Sequence, residues 1–314
     1  MARGSKVWLN GTILNVEDAK ISLFSHALHY GTGAFEGIRA YKQKNGGGAI
    51  FRLREHMERL EDSAKIMGFE IPFTTDQIVK GAVQACVANN FEECYVRPLA
   101  FIGDGPLGVY PGVNPQMELA ILVWEWGSYL GDKGINEGAR LKVSTFVRPH
   151  VNSAMTKGKI TGAYITGVVS KREAISQGYD EALMLDPEGY LTEGTGENLF
   201  MIKNNIVKTT QLTSILNGVT RNTVMEMIKK RGLTLIETRF TRDELYCADE
   251  VFLTGTAAEV TPISSVDDRK IGRGERAGKP GPITQSIQKD YAALVRGDTI
   301  ASEFPKEWLT PVKL

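Results

Sequence analysis

Cysteine is scarce in this chain of 314 residues. There are three, Cys86, Cys94 and Cys247, and no two form a C-x-x-C pair. An odd number without that spacing argues against a disulfide framework and for reduced thiols, so a cytoplasmic protein is expected, with its cysteines serving as small buried hydrophobes. No apolar run approaches the roughly 18 residues of a membrane span. The N-terminal Met-Ala-Arg-Gly-Ser-Lys reaches a turn at Asn10-Gly11 without an apolar signal core. A charge excess of either sign is also missing. Lys+Arg and Asp+Glu both number 37, which gives no reason to expect nucleic acid or an anionic membrane as partner.

Several chemistries are missing too. A P-loop needs four residues between its glycines, then Lys and Ser/Thr. Here five residues separate Gly272 from Gly278, three separate Gly274 from Gly278, and Pro280 follows Lys279. No G-x-S-x-G elbow occurs. His26 and His29 could share a helical face, but no nearby cysteine or acidic residue completes a metal-ligand set, so no metal is expected. There is no internal repeat and no low-complexity tract.

What is present is ordinary soluble-protein composition, 42% hydrophobic and 24% charged, in a length that suits one or two domains. The first part reads as a meander. Val7 to Leu14 is a hairpin around Asn10-Gly11, and Ala34 to Tyr41 alternates as a strand before a turn at Asn45 to Gly48. Leu53, Met57, Leu60, Ala64 and Met67 step by four and three, which predicts an amphipathic helix over 53–67. A second helix is expected at 75–89, and strands at Tyr95–Gly103 and Glu118–Glu125, split by a Gly/Pro-rich loop at 103–115. Mixed strands and helices imply an α+β fold.

Residues 1–125 are therefore expected to form a smaller N-terminal α/β domain. The Gly-rich, aromatic stretch from Trp126 suits an interdomain loop over 126–137, and 138–314 a larger C-terminal domain. That second part predicts a strand at 140–147 and a helix from Ile160 to Gln177 stopped by Gly178. Hairpins follow through Asp186–Gly189 and through Asn204-Asn205, then a helix at Thr220–Lys230, a strand at Glu250–Thr254, a loop at 272–281 and a last helix at 282–296.

Three features stand out chemically. Lys159 sits at an expected helix entrance among small residues, Gly158, Gly162 and Ala163, which let a bulky ring approach the backbone. About thirty residues later Glu193 stands in a Gly-rich hairpin end, Thr192-Glu-Gly-Thr-Gly-Glu197. Gly218-Val-Thr-Arg221 then opens a helix, whose unpaired N–H groups and Thr220 hydroxyl make an anion seat. An amine for an aldehyde, a carboxylate for a ring nitrogen and a helix N-terminus for a phosphate are the requirements of pyridoxal phosphate. Each piece has a plainer reading. Lys157 and Lys171 compete with Lys159, Glu197 competes with Glu193, and Gly218 to Arg221 could be a capped helix and nothing more. A second anion seat is possible at Gly255-Thr-Ala-Ala258. Arg59 is a cationic partner for either seat, or a surface pair with Glu55. Tyr95 and Arg97, two apart on one strand, share a face and suit a substrate carboxylate, or a cross-strand ion pair.

The chain resembles the branched-chain amino acid aminotransferases, class IV aminotransferases on the fold type IV pyridoxal-phosphate scaffold, from about Val7 to the last helix. The segments that carry the resemblance are Ser25-His-Ala-Leu-His-Tyr-Gly, Phe35-Glu-Gly-Ile-Arg, Arg54-Glu-His-Met-Glu-Arg-Leu, Tyr95-Val-Arg-Pro, Glu193-Gly-x-Gly-Glu-Asn-Leu-Phe and Gly255-Thr-Ala-Ala-Glu-Val-Thr-Pro. The resemblance implies pyridoxal 5′-phosphate as cofactor and Lys159 as the lysine that carries it and moves the substrate proton. Glu193 would face the ring nitrogen and Tyr164 the ring hydroxyl. Arg59, Val219, Thr220 and Thr256 would grip the phosphate. Phe35, Gly37, Tyr95, Trp126, Tyr129 and Ala257 would hold the substrate, with Arg97 and Tyr30 receiving the distal carboxylate of glutamate. Tyr30 and the Val109 loop would reach in from a neighbouring subunit, which implies a homodimer at least, alone or within a hexamer.

The implied reaction passes the amino group of L-leucine, L-isoleucine or L-valine to 2-oxoglutarate by a ping-pong route. One departure is visible. Many relatives carry Gly-Gly-Asn-Tyr after the lysine, where this chain has Ile160-Thr-Gly-Ala-Tyr164, with the lysine-to-tyrosine spacing kept. The alternatives on the same scaffold are a D-amino acid or (R)-amine transaminase and aminodeoxychorismate lyase. The Tyr95/Arg97 pair argues against the first, and a carboxylate site at Arg97 and Tyr30 against the second. A binding protein without catalysis would have no use for Lys159, Tyr164 and Glu193 together.

Overall fold

The computed structural model describes residues 2–127 and 129–314. Met1 of the N-terminal stretch and Ser128 of the expected interdomain loop lie outside the described residues. The chain has an α+β fold in two compact units. The first comprises Met1–Gly127, Gly158–Ala163 and Ala293–Leu314, the second Ser128–Lys157 and Tyr164–Ala292.

The first unit is built on a sheet in which the strand Cys94–Ile102 is central. It pairs antiparallel with Gly33–Phe35 and Ile38–Lys42 on one side and Met117–Trp124 on the other. The expected N-terminal hairpin is Lys6–Leu9 and Thr12–Asn15, and Asn10 and Gly11 take the positive φ that its tight turn requires. The helices expected at 53–67 and 75–89 form at Leu53–Ile66 and Thr75–Ala88. Thr74 and Gln77 start the second with a reciprocal capping box. Leu53, Met57 and Leu60 of the first helix and Ile78, Ala82 and Ala85 of the second share a core with Ile38, Val96 and Ile121 of the sheet.

Two later stretches belong to this unit, which differs from the expectation that 138–314 form one domain. Leu309–Val312 pairs antiparallel with Gly48–Phe51, and Trp308 is buried against Phe51 and Phe304. Gly158–Ala163 is stitched to residues 31–35. Phe35 N–H donates to the Lys159 carbonyl at 3.0 Å, and Gly162 N–H to the Gly31 carbonyl at 3.1 Å. The Thr161 hydroxyl donates to the same Gly31 oxygen at 2.7 Å. Composition gives no sign of backbone pairing of that kind.

The second unit is organised by a closed ring of six strands. In order around the ring these are Leu191–Gly194, Glu181–Leu185, Ala139–Val143, Glu259–Val266, Glu250–Gly255 and Asn198–Lys203. The ring closes because Leu191–Gly194 also pairs with Asn198–Lys203, through Glu193 opposite Asn198. Closure removes the sheet edges on that path. Two further strands, Ile206–Thr209 and Thr234–Glu237, extend beyond Asn198–Lys203, whose hairpin turns at Asn204 and Asn205 with positive φ. The core holds Leu141, Leu183, Leu199, Leu253 and Ile263 from the ring together with Phe240 and Leu245.

Two expectations need correction here. The stretch expected to be an interdomain loop contains a helix, Gly131–Glu137, in which the glycine-rich composition masks a helical turn. The helix expected from Ile160 begins as a single 3-10 turn at Thr161–Tyr164 and becomes α-helical over Ile165–Ser176. Lys159 therefore precedes the helix and is not in its first turn. Among the described residues no helix is long and apolar enough to cross a membrane.

The ring carries a buried acidic pair. Glu181 is fully buried, with its carboxylate bound by Lys171 Nζ at 2.7 Å, by the Thr195 hydroxyl at 2.8 Å and by the Ala182 N–H at 2.7 Å. Glu197 is also buried, and loss of solvation, followed by the negative charge of Glu181, pushes its carboxyl up to about 8. The folded chain thus binds a proton here that the unfolded chain releases near the ordinary carboxylate range. Stability from this group is full below about pH 4.5 and is lost as pH rises through about 8. Glu197→Gln should flatten the decline in urea midpoint between about pH 5 and about pH 8. A decline of unchanged slope would show that Glu197 is not its source.

Candidate active site

In the first unit the site begins with the alternation of Cys94–Ile102. Tyr95, Arg97 and Leu99 point to one side of that strand. Trp124 lies opposite Tyr95 and Phe35 opposite Leu99, so both join the same face. The Arg97 guanidinium carbon lies 4.7 Å from the Phe35 ring centre, 5.3 Å from that of Tyr95 and 5.5 Å from that of Trp124. Trp126 packs edge-on against Tyr95 at 4.5 Å, and Arg39 holds the Trp126 and Gly127 carbonyls. Gly37 leaves room for the Tyr95 ring. A Cβ there would lie 1.9 Å from the Tyr95 hydroxyl oxygen.

Lys159 is half-buried and placed against this cluster, its Nζ 4.9 Å from the centre of the Phe35 ring. Its N–H donates to the Ser63 hydroxyl at 2.9 Å, and that hydroxyl donates to the Arg59 carbonyl at 2.8 Å. The two sequence candidates Lys159 and Arg59 are thus linked through one side chain. Arg59 is not a surface partner of Glu55, which is taken by Arg52 at 2.8 Å. Instead its guanidinium forks onto Glu36, Nε to Oε1 at 2.7 Å and one terminal nitrogen to Oε2 at 2.8 Å. His56 Nδ1 reaches the same carboxylate at 2.7 Å. Burial alone would raise the Glu36 carboxyl, but Arg59 and His56 outweigh it and hold it far below the ordinary range. Burial pushes His56 down, against the pull of Glu36.

In the second unit Glu193 is buried at the pair that closes the ring. Arg148 contacts its Oε1 at 2.6 Å. Asn198 Nδ2 and the Leu216 N–H reach Oε2 at 2.9 and 3.2 Å. The plain reading of Glu193 as a solvated hairpin end does not hold, and Glu197 is occupied by the acidic pair described above. Gly218 precedes the helix Val219–Lys230 in extended conformation without a side-chain cap, and Val219 and Thr220 are buried. A Cβ on Gly218 would fall 2.0 Å from Asn198 Oδ1, so the Glu193–Asn198 pair and this helix start are packed as one piece. Thr256 and Ala257 are half-buried in the turn between Glu250–Gly255 and Glu259–Val266.

Tyr164 is half-buried in the 3-10 turn after Lys159. Tyr129 packs its ring 4.8 Å from Lys171 Nζ, and burial followed by the charges of Glu197 and Glu181 raises its phenol. The rival lysines are engaged differently. Lys171 pairs with Glu181, and exposed Lys157 reaches the Ile215 carbonyl at 3.4 Å. Tyr30 is exposed, its ring tilted against that of His26 at 4.5 Å, and Val109 is exposed. Neither ring nitrogen of His26 is left for a metal, since they contact Thr32 Oγ1 and the Gly108 carbonyl at 2.8 and 2.7 Å.

Five residues of this arrangement escape sequence reading: Glu36, His56, Ser63, Trp124 and Arg148. A signal exists for Glu36, an acid standing between Phe35 and Gly37 in a stretch that otherwise reads as a buried strand. The others are ordinary residue types whose partners lie far along the chain. The donor set fits pyridoxal phosphate in kind: a half-buried amine, a carboxylate held in an ion pair, a phenol, a helix N-terminus opened by glycine, and two glycines where a Cβ would collide with a neighbouring side chain.

A sequence model described as amino-transferase class IV matches residues 33–266. The branched-chain-amino-acid aminotransferase of Pseudomonas aeruginosa is 46% identical over 311 residues, 99% of this chain and 98% of that protein. The crystal structure of the Escherichia coli branched-chain amino acid aminotransferase aligns with a TM-score of 0.94 at 40% identity, covering 99% of this chain and 100% of that one. A branched-chain aminotransferase from the thermophilic archaeon Thermoproteus uzoniensis, solved with norvaline, aligns with a TM-score of 0.91 at 40% identity, covering 99% of this chain and 100% of that one. At such identity and coverage, the chain belongs to the class IV aminotransferases, in the branched-chain-amino-acid aminotransferase family.

Proposed function

We propose that this chain is a branched-chain-amino-acid transaminase. It moves the amino group of L-leucine, L-isoleucine or L-valine reversibly to 2-oxoglutarate, with pyridoxal 5′-phosphate as cofactor. The observation that carries the reading is Arg97, a guanidinium on an otherwise aromatic and apolar surface that also holds Phe35, Tyr95 and Trp126. A pocket of that kind accepts an aliphatic side chain and also a carboxylate. A cyclic substrate to be cleaved has no use for it. Relatives of this identity also carry the branched-chain name.

When bound, pyridoxal phosphate supplies an aldehyde that takes up the amino group and a ring that accepts electrons from Cα. Lys159 acts as the amine that holds the cofactor and then as the base and acid that moves the Cα proton. Its backbone is fixed at both ends of the residue, by Ser63 at the N–H and by Phe35 at the carbonyl. Glu193 keeps a proton at the ring nitrogen, and Arg148, Asn198 and Leu216 aim its two oxygens. Tyr164 would pair with the ring hydroxyl. Arg59, Val219, Thr220 and Thr256 would hold the phosphate, whose negative charge the helix N-terminus favours. Phe35, Gly37, Tyr95, Trp126, Tyr129 and Ala257 would hold the substrate, and Arg97, with Tyr30 from a second copy, would receive the distal carboxylate of glutamate.

The working unit in this reading is at least a homodimer. Ile21, Leu23, Phe24, Leu28 and Tyr30 are exposed, as are Leu107, Val109, Tyr110 and Val113. Exposed apolar side chains gathered on two short segments favour a protein partner, and a second copy would bring Tyr30 and Val109 to its neighbour's pocket.

Two measurements test this. Wild-type protein should lose the visible absorbance of its bound cofactor on addition of L-leucine and regain it with 2-oxoglutarate, while Lys159→Ala should lose turnover by about a thousandfold or more. A response to D-alanine alone would leave the cofactor and overturn the substrate. Val109→Asp, at a site too exposed to disturb the subunit's own core, should sediment as a monomer with most activity lost. An oligomer of unchanged mass and full activity would remove the neighbour from the site.

A further inference from the structure

We infer that Trp124 is a positioning residue that lets Arg97 serve two substrates of opposite character. The inference rests on the reading of Arg97 as acceptor of the distal carboxylate. Among the described residues Arg97 has no carboxylate within ion-pair distance, and its buried Nε has no hydrogen-bond partner. A terminal nitrogen donates to the Tyr95 hydroxyl at a long 3.4 Å. The nearest acid in sequence to the facing Phe35 is Glu36, whose oxygens are committed to Arg59 and His56.

A partly buried guanidinium without a counter-ion needs another source of stabilisation, and here it has three aromatic rings within 5.5 Å. Phe35 and Tyr95 already have substrate roles in the proposed reaction. Trp124 has none. It sits opposite Tyr95 in register, tilted against its ring at 4.9 Å and against Trp126 at 5.8 Å. It therefore both faces the guanidinium and fixes the two aromatic residues beside it.

The consequence differs between the two half-reactions. When glutamate occupies the pocket, its carboxylate neutralises Arg97, and the aromatic faces matter less. When leucine occupies it, the aliphatic side chain brings no charge, and the rings alone offset the cost of keeping the cation from water. Trp124 thus favours the branched-chain substrate selectively. Indole is also the strongest of the three ring types as a cation acceptor.

The test uses the holoenzyme and measures kcat/KM of each half-reaction separately, with L-leucine and with L-glutamate as the only substrate. Trp124→Leu should lower the leucine-to-glutamate ratio about fivefold, equivalent to about 1 kcal/mol. Trp124→Phe, which keeps a π face, should stay within about twofold of wild type and serves also if the leucine variant folds poorly. Equal losses with both substrates, or a loss confined to glutamate, would overturn the inference and leave Trp124 a structural residue. Arg97→Leu is the control for the underlying reading. It should abolish turnover of glutamate while sparing leucine, and if glutamate is unaffected, the role of Arg97 fails and this inference with it.

Discussion

The first unit depends on one buried carboxylate. Glu36 is fully excluded from solvent, yet remains ionised because Arg59 forks onto it and His56 contacts the same group. An isolated charge in that place would cost far more than the fold could offset, so the three residues stand or fall together. Breaking one partner of such a buried set typically costs about 3–5 kcal/mol. The position of Glu36 gives the set its reach. Phe35 on one side bonds the Lys159 carbonyl, Gly37 on the other clears the Tyr95 hydroxyl, and the Glu36 N–H itself bonds the Pro98 carbonyl. One ion cluster thereby sets the helix that bears Arg59, the segment that bears Lys159 and the strand that bears Arg97.

The second unit solves a similar problem with topology. Its six strands close on the pairing of Glu193 with Asn198, so this carboxylate sits where slippage would open the ring. Asn198 uses its side chain twice, on Glu193 Oε2 and on the Leu216 carbonyl, and its Oδ1 fills the space that a Gly218 side chain would need. Ring closure, carboxylate and helix start are thus one rigid piece. Such preorganisation is what electrostatic catalysis demands, because donors that are already oriented need no rearrangement in the transition state.

Much of this is legible in sequence where the signal is local. Asn-Gly and Asn-Asn turns, the four-and-three spacing of Leu53 to Ala64 and the Gly-Val-Thr-Arg helix start all depend on neighbours within a few residues. Motifs shared with the family then single out Lys159, Glu193 and Arg97. What is not legible depends on distance along the chain. Leu309–Val312 returns to pair with Gly48–Phe51 from the far end of the sequence, and no propensity in either segment announces it. Glu36 and Arg59 are separated by 23 residues, and by spacing alone Arg59 fits equally well as a helical partner of Glu55. By sequence Lys159 stands at the entrance of a helix that runs from Ile160. The backbone contact of Gly162 with Gly31 explains why the chain delays it.

Three arginines show how the fold distributes charge toward function. Arg59 and Arg148 each have a buried carboxylate, Glu36 and Glu193, and are thereby fixed in place. Among the described residues Arg97 has aromatic rings in place of a carboxylate, with a buried nitrogen left without an acceptor. A carboxylate partner would have stabilised Arg97 more, but it would also have had to be displaced by every incoming anion. Aromatic rings stabilise the cation without neutralising its charge, so an incoming carboxylate displaces no anion. That distinction separates an arginine that builds a site from one that reads a substrate, and it follows from which neighbours each was given.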